Sequence, residues 1–321
     1  GFLQVVPVLV CGLGLVAFGQ KFGCPDADTL RPCSCDMDGI SCRKAKSTQE
    51  LKKAFGSADL KEHGQLWVVK TSVESFPEDV LGDFVFREIH LNLNVNLTSF
   101  SIDSLKNSGS FVTNISLYGN ALSTFEFARI RMFPKLTSLN LGNNRLDAIP
   151  DRAFDHAVLT TLVLSDNPIR TLGSRAFAAL PKLELLHIVG TRITTLGDYA
   201  LTLSSTSPVL RVFLKNSPLV NISNLTFADS SPYSLSLARN NLTTFSEVVF
   251  GPLLRRMHEH VIRTNRSLVL DVTKNPFSCS GCSFRWLVSH KRDLVAQNLL
   301  FGFRCADGTR LKDLTMRSIL C

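Results

Sequence analysis

The chain has 321 residues, 45% of them hydrophobic and 19% charged, with a formal net charge of +8. It is long and apolar enough to bury a sizeable core, which excludes a disordered polyelectrolyte. Basic residues come in scattered pairs such as Lys52/Lys53, Arg255/Arg256 and Lys291/Arg292, so no basic run points to nucleic acid, although an anionic partner such as a sulfated glycan or anionic lipid stays open through long-range attraction.

In chain order, Gly1 to Gly19 is apolar and uncharged and closes on the small residues Ala17 and Gly19. That is the pattern of a secretory signal peptide cleaved before Gln20. Pro7 and the interspersed glycines weaken the same stretch as a membrane span. No second long apolar run follows, so no membrane insertion is expected and the mature protein should be soluble and secreted. Of nine cysteines, Cys11 lies in this leading segment; the others form two terminal clusters, Cys24, Cys33, Cys35 and Cys42, then Cys279, Cys282, Cys305 and Cys321. An even set in an oxidising compartment reads as disulfides, and spacing alone leaves three pairings in each cluster. Cys279-x-x-Cys282 has the spacing of half a zinc site, but no second half accompanies it. No metal or other cofactor is expected. Six Asn-x-Ser/Thr sequons, at Asn96, Asn114, Asn221, Asn224, Asn241 and Asn265, fit passage through the secretory pathway.

Between the clusters the sequence repeats itself. Leu139-Asn-Leu141-Gly-Asn-Asn144-Arg-Leu146 is followed by Leu162-Val-Leu164-Ser-Asp-Asn167-Pro-Ile169 and by Leu235-Ser-Leu237-Ala-Arg-Asn240-Asn-Leu242. Each carries the LxLxxNxL signature of a leucine-rich repeat. Looser copies run from Leu66/Val68/Thr71 to Leu270/Val272/Asn275, making nine units. Positions 71, 94, 120, 144, 167, 191, 217 and 240 advance by 23 to 26 residues, and only the step to 275 is longer. Each unit should be a short strand with alternate residues inward, then a turn and a return segment. Stacking aligns the leucines as a core, while the Asn amide satisfies buried turn backbone; Thr71, Thr191 and Ser217 should do this less well. Phe154, Phe177, Phe227 and Phe250 recur on the return side as a core column.

A solenoid needs caps, and the cysteine clusters stand where caps must be. Cys24-Pro25 through Pro32-Cys33-Ser-Cys35 to Cys42 resembles the N-terminal cap of extracellular leucine-rich-repeat proteins. Asn275-Pro-Phe-Ser-Cys279 with Cys282-Ser-Phe-Arg-Trp286-Leu resembles their C-terminal cap. The resemblance implies the pairs Cys24 to Cys35, Cys33 to Cys42, Cys279 to Cys305 and Cys282 to Cys321. Trp286 reads as the anchor of a cap helix. A narrower resemblance covers nearly the whole mature chain. The Phe245-Ser-Glu-Val-Val-Phe250-Gly-Pro-Leu253 turn, Cys305-Ala-Asp-Gly-Thr309 and Asp313-Leu look like a secreted arthropod group similar to the non-catalytic subunit of Oplophorus-luciferin 2-monooxygenase. It implies a partner protein whose catalytic work belongs to another subunit.

The expected fold is an α/β solenoid, a horseshoe with parallel strands on its concave face and disulfide-bonded caps at both ends. The expected organisation is a signal peptide at 1–19, an N-terminal cap at 20–60, repeats over 61–274 and a C-terminal cap at 275–321. No catalytic signature appears: His258-Glu-His260 lacks the i, i+4 spacing of a zincin helix and reads as a solvated loop. Function should therefore lie on the concave face, in binding another secreted or cell-surface protein, either as an accessory subunit or as a free recognition module. Exposed aromatics there have no folding reason to be aromatic, which singles out Trp67, Tyr118 and Phe213. His187, Val189, Phe213 and Lys215 should form one contact patch, and the six sequons should leave that face free.

Overall fold

A computed structural model describes residues 23–321; the expected signal peptide at 1–19, with Cys11, lies outside the described residues. Twelve strands form one sheet whose spatial order is the order of the chain. The first two, Ser34–Cys35 and Gly39–Ser41, are an antiparallel hairpin, and every later pairing in the sheet is parallel. Nine of these strands, from Glu62–Val69 to Val269–Asp271, carry the nine repeats, and Leu300–Phe301 closes the sheet.

Register follows from the leucines. Leu66, Ile89, Ile115, Leu139, Leu162, Leu186, Val212, Leu235 and Leu270 stand opposite one another along the sheet and none is more than 1% exposed. Their neighbours on either side point out of the core, as period-two alternation requires. Beyond each strand the chain turns through a left-handed residue: Lys70, Leu93, Gly119, Asn143, Asp166, Gly190, Asn216, Arg239 and Lys274 all have positive φ. Their column lets each repeat donate one more backbone hydrogen bond to the next, as Asn143 does to Ser165 (2.8 Å).

Inside that turn runs the asparagine ladder. Asn144 and Asn167 each give their amide to carbonyls of their own and the preceding repeat and take a backbone N–H on Oδ1. Asn240 and Asn275 repeat the pattern. Thr191 and Ser217 manage only half of it: their hydroxyls bond each other at 2.8 Å, and Ser217 accepts the Thr191 N–H. Neither has an amide to reach the flanking carbonyls.

On the opposite side short parallel pairs and 3-10 turns close each coil. Phenylalanine rings pack one against the next there, stacked or edge-on, from Phe100 through Phe125, Phe127 and Phe154 to Phe177. The column breaks where Leu201 takes the next place and resumes at Phe227 and Phe250.

The N-terminal cap carries helix α1, Thr48–Ser57. Ser47 accepts the Glu50 N–H while the Glu50 carboxylate accepts the Lys46 N–H, a reciprocal cap that fixes the helix start. Its Phe55 packs edge-on against Phe84 and Phe86. Disulfides join Cys24 to Cys35, Cys33 to Cys42, Cys279 to Cys305 and Cys282 to Cys321; of the pairings that spacing leaves open, these are the ones the resemblance implies.

One expectation is corrected. The expected turn at 245–253 and solvated loop at 258–260 are mostly helix α2, Glu247–Thr264, and His260 is buried. The extra length of the last repeat houses it. Phe250, Leu253, Leu254 and Met257 recur at helical spacing and are buried, so the burial of that stripe outweighs the local turn signal of Gly251-Pro252. Helix α3, Arg285–Ala296, belongs to the C-terminal cap. Trp286 stacks on Phe245 (5.7 Å) and donates its indole N–H to the Phe245 carbonyl (2.9 Å), which seats the cap on the last repeat.

Candidate functional site

The concave face is built from the outward residues of the parallel strands. One row runs in register through Ser41, Trp67, His90, Ser116, Asn140, Val163, His187, Phe213, Ser236, Asp271 and Phe301. The residues two further along each strand, including Tyr118, Val189 and Lys215, form the next row.

Three of the expected patch residues touch. The His187 and Phe213 rings lie 5.0 Å apart, and the Lys215 ammonium sits 5.5 Å from the centre of the Phe213 ring, within cation–π range. Ser165 accepts the Val189 N–H at 3.0 Å and shares a 2.9 Å hydrogen bond with His187 Nδ1. Beside this cluster Ser236 and Ala238 are small and buried, so Phe213 stands up as a wall over a lower floor. Phe301, 61% exposed in the same row, is the far wall, a feature the repeat pattern missed because it lies in the cap.

Trp67 and Tyr118 are not part of that patch. Trp67 stacks on His90 (6.0 Å), whose Nε2 faces Glu88 at 3.3 Å, five strands from His187, or about 24 Å at strand spacing. Tyr118 lies over Gly142, where any added Cβ would meet its ring at 3.3 Å. The face thus has an N-terminal aromatic site and a separate C-terminal one.

The sequon asparagines divide as well. Asn96, Asn221, Asn224, Asn241 and Asn265 are exposed and lie outside the strands of the concave sheet. Asn114 does not: it stands in that sheet, opposite Glu88 and Ser138. A glycan at Asn114 would rise from the concave face between the two aromatic sites, which corrects the expectation that the sequons leave this face free. Period-two alternation around the buried Ile115 carried that information.

The description "Leucine rich repeat" fits residues 134–193. The whole fold aligns with a chain of the solved octameric complex of Latrophilin 3 (Lec, Olf), Unc5D (Ig, Ig2, TSP1) and FLRT2 (LRR), at a TM-score of 0.58 and 17% identity over 90% of this chain and 98% of that one. The fold is that of a leucine-rich-repeat solenoid. The chain also resembles the Oplophorus-luciferin 2-monooxygenase non-catalytic subunit of Oplophorus gracilirostris, at 25% identity over 97% of this chain and 93% of the relative. Toll-like receptor 3 of Bos taurus is 27% identical over 47% of this chain, a stretch that spans 20% of the receptor. No helix among the described residues is long and apolar enough to cross a membrane.

Burial is the main force holding the His187 pKa below its usual value, and the Lys215 charge adds to it against a smaller opposing pull from Asp166. Burial acts the same way on His63 and His260. A histidine whose folded pKa is depressed contributes stability that is intact above the unfolded value near 6.5 and is lost as pH falls through the folded value. The repeat array should therefore melt at a lower temperature at about pH 5 than at about pH 7.5, and His187→Gln should remove part of that difference. Thermal melts followed by circular dichroism check both; an unchanged pH difference in the variant would show that His187 protonates freely in the fold.

Proposed function

We propose that this is a secreted protein, cleaved before Gln20, that binds another secreted or cell-surface protein through the C-terminal part of its concave face and performs no catalysis itself. The observation carrying the reading is the His187–Phe213–Lys215 cluster. Phe213 is only half-buried and fills no core, yet it is braced by an imidazole and a cation. A pre-positioned aromatic beside a shallow floor is what an interface anchor requires. Eight cysteines drawn into four disulfides support an oxidising compartment.

A constitutive accessory subunit is the second reading. It is favoured by the relative that spans 97% of this chain and is named a non-catalytic subunit. Native purification from source tissue, followed by mass spectrometry under non-reducing conditions, separates the two. A stoichiometric co-eluting chain establishes the subunit; a lone glycosylated chain starting at Gln20 establishes the recognition module. In either case Phe213→Ala should weaken capture of the partner by about 2 kcal/mol, roughly thirtyfold, without altering the melt. Full retention of binding by that variant would move the contact site elsewhere, first to Trp67.

A further inference from the structure

The formal charge is not spread along the solenoid. Residues 1–200 carry 20 Lys and Arg against 20 Asp and Glu, whereas residues 201–321 carry 15 against 7, so the entire net +8 belongs to the C-terminal third. Ion pairing is distributed in the opposite sense. Every ion pair among the described residues lies between Asp28 and Arg129. The basic end of the molecule thus keeps its cations out of salt bridges.

Five of these cations are brought together at the junction of the last repeats and the cap. Arg239 and Lys274 occupy the same left-handed turn position in neighbouring repeats, and the Arg239 N–H bonds Thr273 on the next rung at 2.8 Å. Lys274 and Arg304 line one hollow; Arg304, Arg310 and Lys312 line a second that shares Gly302 and Arg304 with the first. Arg304 and Arg310 face each other across an antiparallel bridge. All five side chains are exposed. Two nearby carboxylates are engaged locally, Asp307 by the Thr309 N–H and Asp271 by Ser236 and Thr273. Asp313, beside Lys312 in sequence, offsets part of the field.

We propose that Arg239, Lys274, Arg304, Arg310 and Lys312 form a binding strip for a sulfated polysaccharide. Arginine presents a flat fork of donors to an oxyanion, and a row of cations gains further by releasing the counterions condensed on a dense linear polyanion. The first hollow is lined by polar and small groups such as Asn240, Thr273 and Gly302; the second adds Leu300, Leu311 and Phe303, but that ring is buried, so neither hollow presents an exposed aromatic anchor of the kind a protein interface uses. That favours a glycan over an acidic protein segment. The strip borders the Phe213 site at Ala238 and Phe301, whose next residues are Arg239 and Gly302, but shares no residue with it, and it takes from the preceding reading only the extracellular setting.

The test compares elution of the full secreted chain, in a sodium chloride gradient, from immobilised heparin and from a sulfopropyl cation exchanger. The wild type should leave heparin at distinctly higher salt than the exchanger. Removing three charges of the strip, with Arg304→Gln, Arg310→Gln and Lys312→Gln, should abolish that excess and weaken a heparin oligosaccharide roughly tenfold at about 0.15 M salt. Removing three exposed charges elsewhere in the same third, with Arg255→Gln, Arg266→Gln and Arg292→Gln, should leave the excess intact. Equal loss in both triples, or coincident elution of the wild type from the two resins, overturns the proposal. Arg304→Gln alone, which should lose part of the excess, serves if the triple melts early. Asn241 lines the first hollow, so the series is repeated on Asn241→Gln to keep an N-glycan there from masking the strip; Phe213→Ala should bind heparin like the wild type.

Discussion

Replacing Phe245 with alanine is expected to cost about 3–5 kcal/mol and to detach the C-terminal cap before the rest of the solenoid melts. Phe245 is fully buried and touches aromatics on every side. It stacks on Phe250 at 4.0 Å and on Trp286 at 5.7 Å, and meets Phe277 and Phe303 edge-on at 5.7 Å. Those partners belong to three different segments, helix α2, the approach to the first cap cysteine and the cap itself. Truncation therefore removes one ring and at the same time loosens the packing that joins the last repeat to its cover. Aromatic pairs of this geometry add to simple area burial, and in a solenoid the loss is felt mainly at the nearest interface. Urea unfolding followed by circular dichroism measures the cost, and hydrogen exchange locates it. The expected pattern is early exchange over residues 245–321 with the central repeats still protected. A loss below about 1 kcal/mol would mean that the disulfide-anchored segments hold the cap without the aromatic cluster.

The solenoid is legible in the sequence because its ladder is chemically narrow. Only a small set of residues can serve two carbonyls and one N–H inside a turn, so the spacing of Asn144, Asn167 and Asn240 is enough to mark the strands. It also marks Thr191 and Ser217 as the weak rungs. Helix α2 was hidden because Gly251-Pro252 is a local turn signal, while the stripe of Phe250, Leu253, Leu254 and Met257 gains its meaning from a core supplied by distant repeats. The concave face was legible as rows, since alternation alone puts His187 and Phe213 on one side of adjacent strands. Their contacts were not. The Lys215 ammonium over Phe213 and the Ser165 hydroxyl on His187 depend on rotamers that no spacing encodes. The same limit hid the basic strip, whose members are separated by up to 73 positions between Arg239 and Lys312 and become neighbours only when the cap folds back on the last rung.

Asn144→Ala should be nearly as damaging as the loss of Phe245, at about 3 kcal/mol, although it removes no hydrophobic contact of consequence. The Asn144 amide donates to the carbonyls of Leu117 (2.8 Å), Leu141 (3.1 Å) and Gly142 (3.1 Å), and its Oδ1 accepts the Leu122 N–H at 3.1 Å. The side chain is buried, and so are Leu117, Leu141 and Leu122, so alanine leaves a donor and several acceptors shut away from water, the costly half of the hydrogen-bond asymmetry. Threonine at the same position separates the two roles of the amide. It can accept a backbone N–H, as the Ser217 hydroxyl does for Thr191, but it has no second donor to serve carbonyls of two repeats. Stability by urea unfolding should fall in the order asparagine, threonine, alanine. Equal losses for threonine and alanine would assign the ladder's contribution to the amide donors alone. Two near-neutral variants would mean that water enters the turn and replaces the side chain, in which case the regular spacing of asparagines in this chain reflects the geometry of the turn more than its energy.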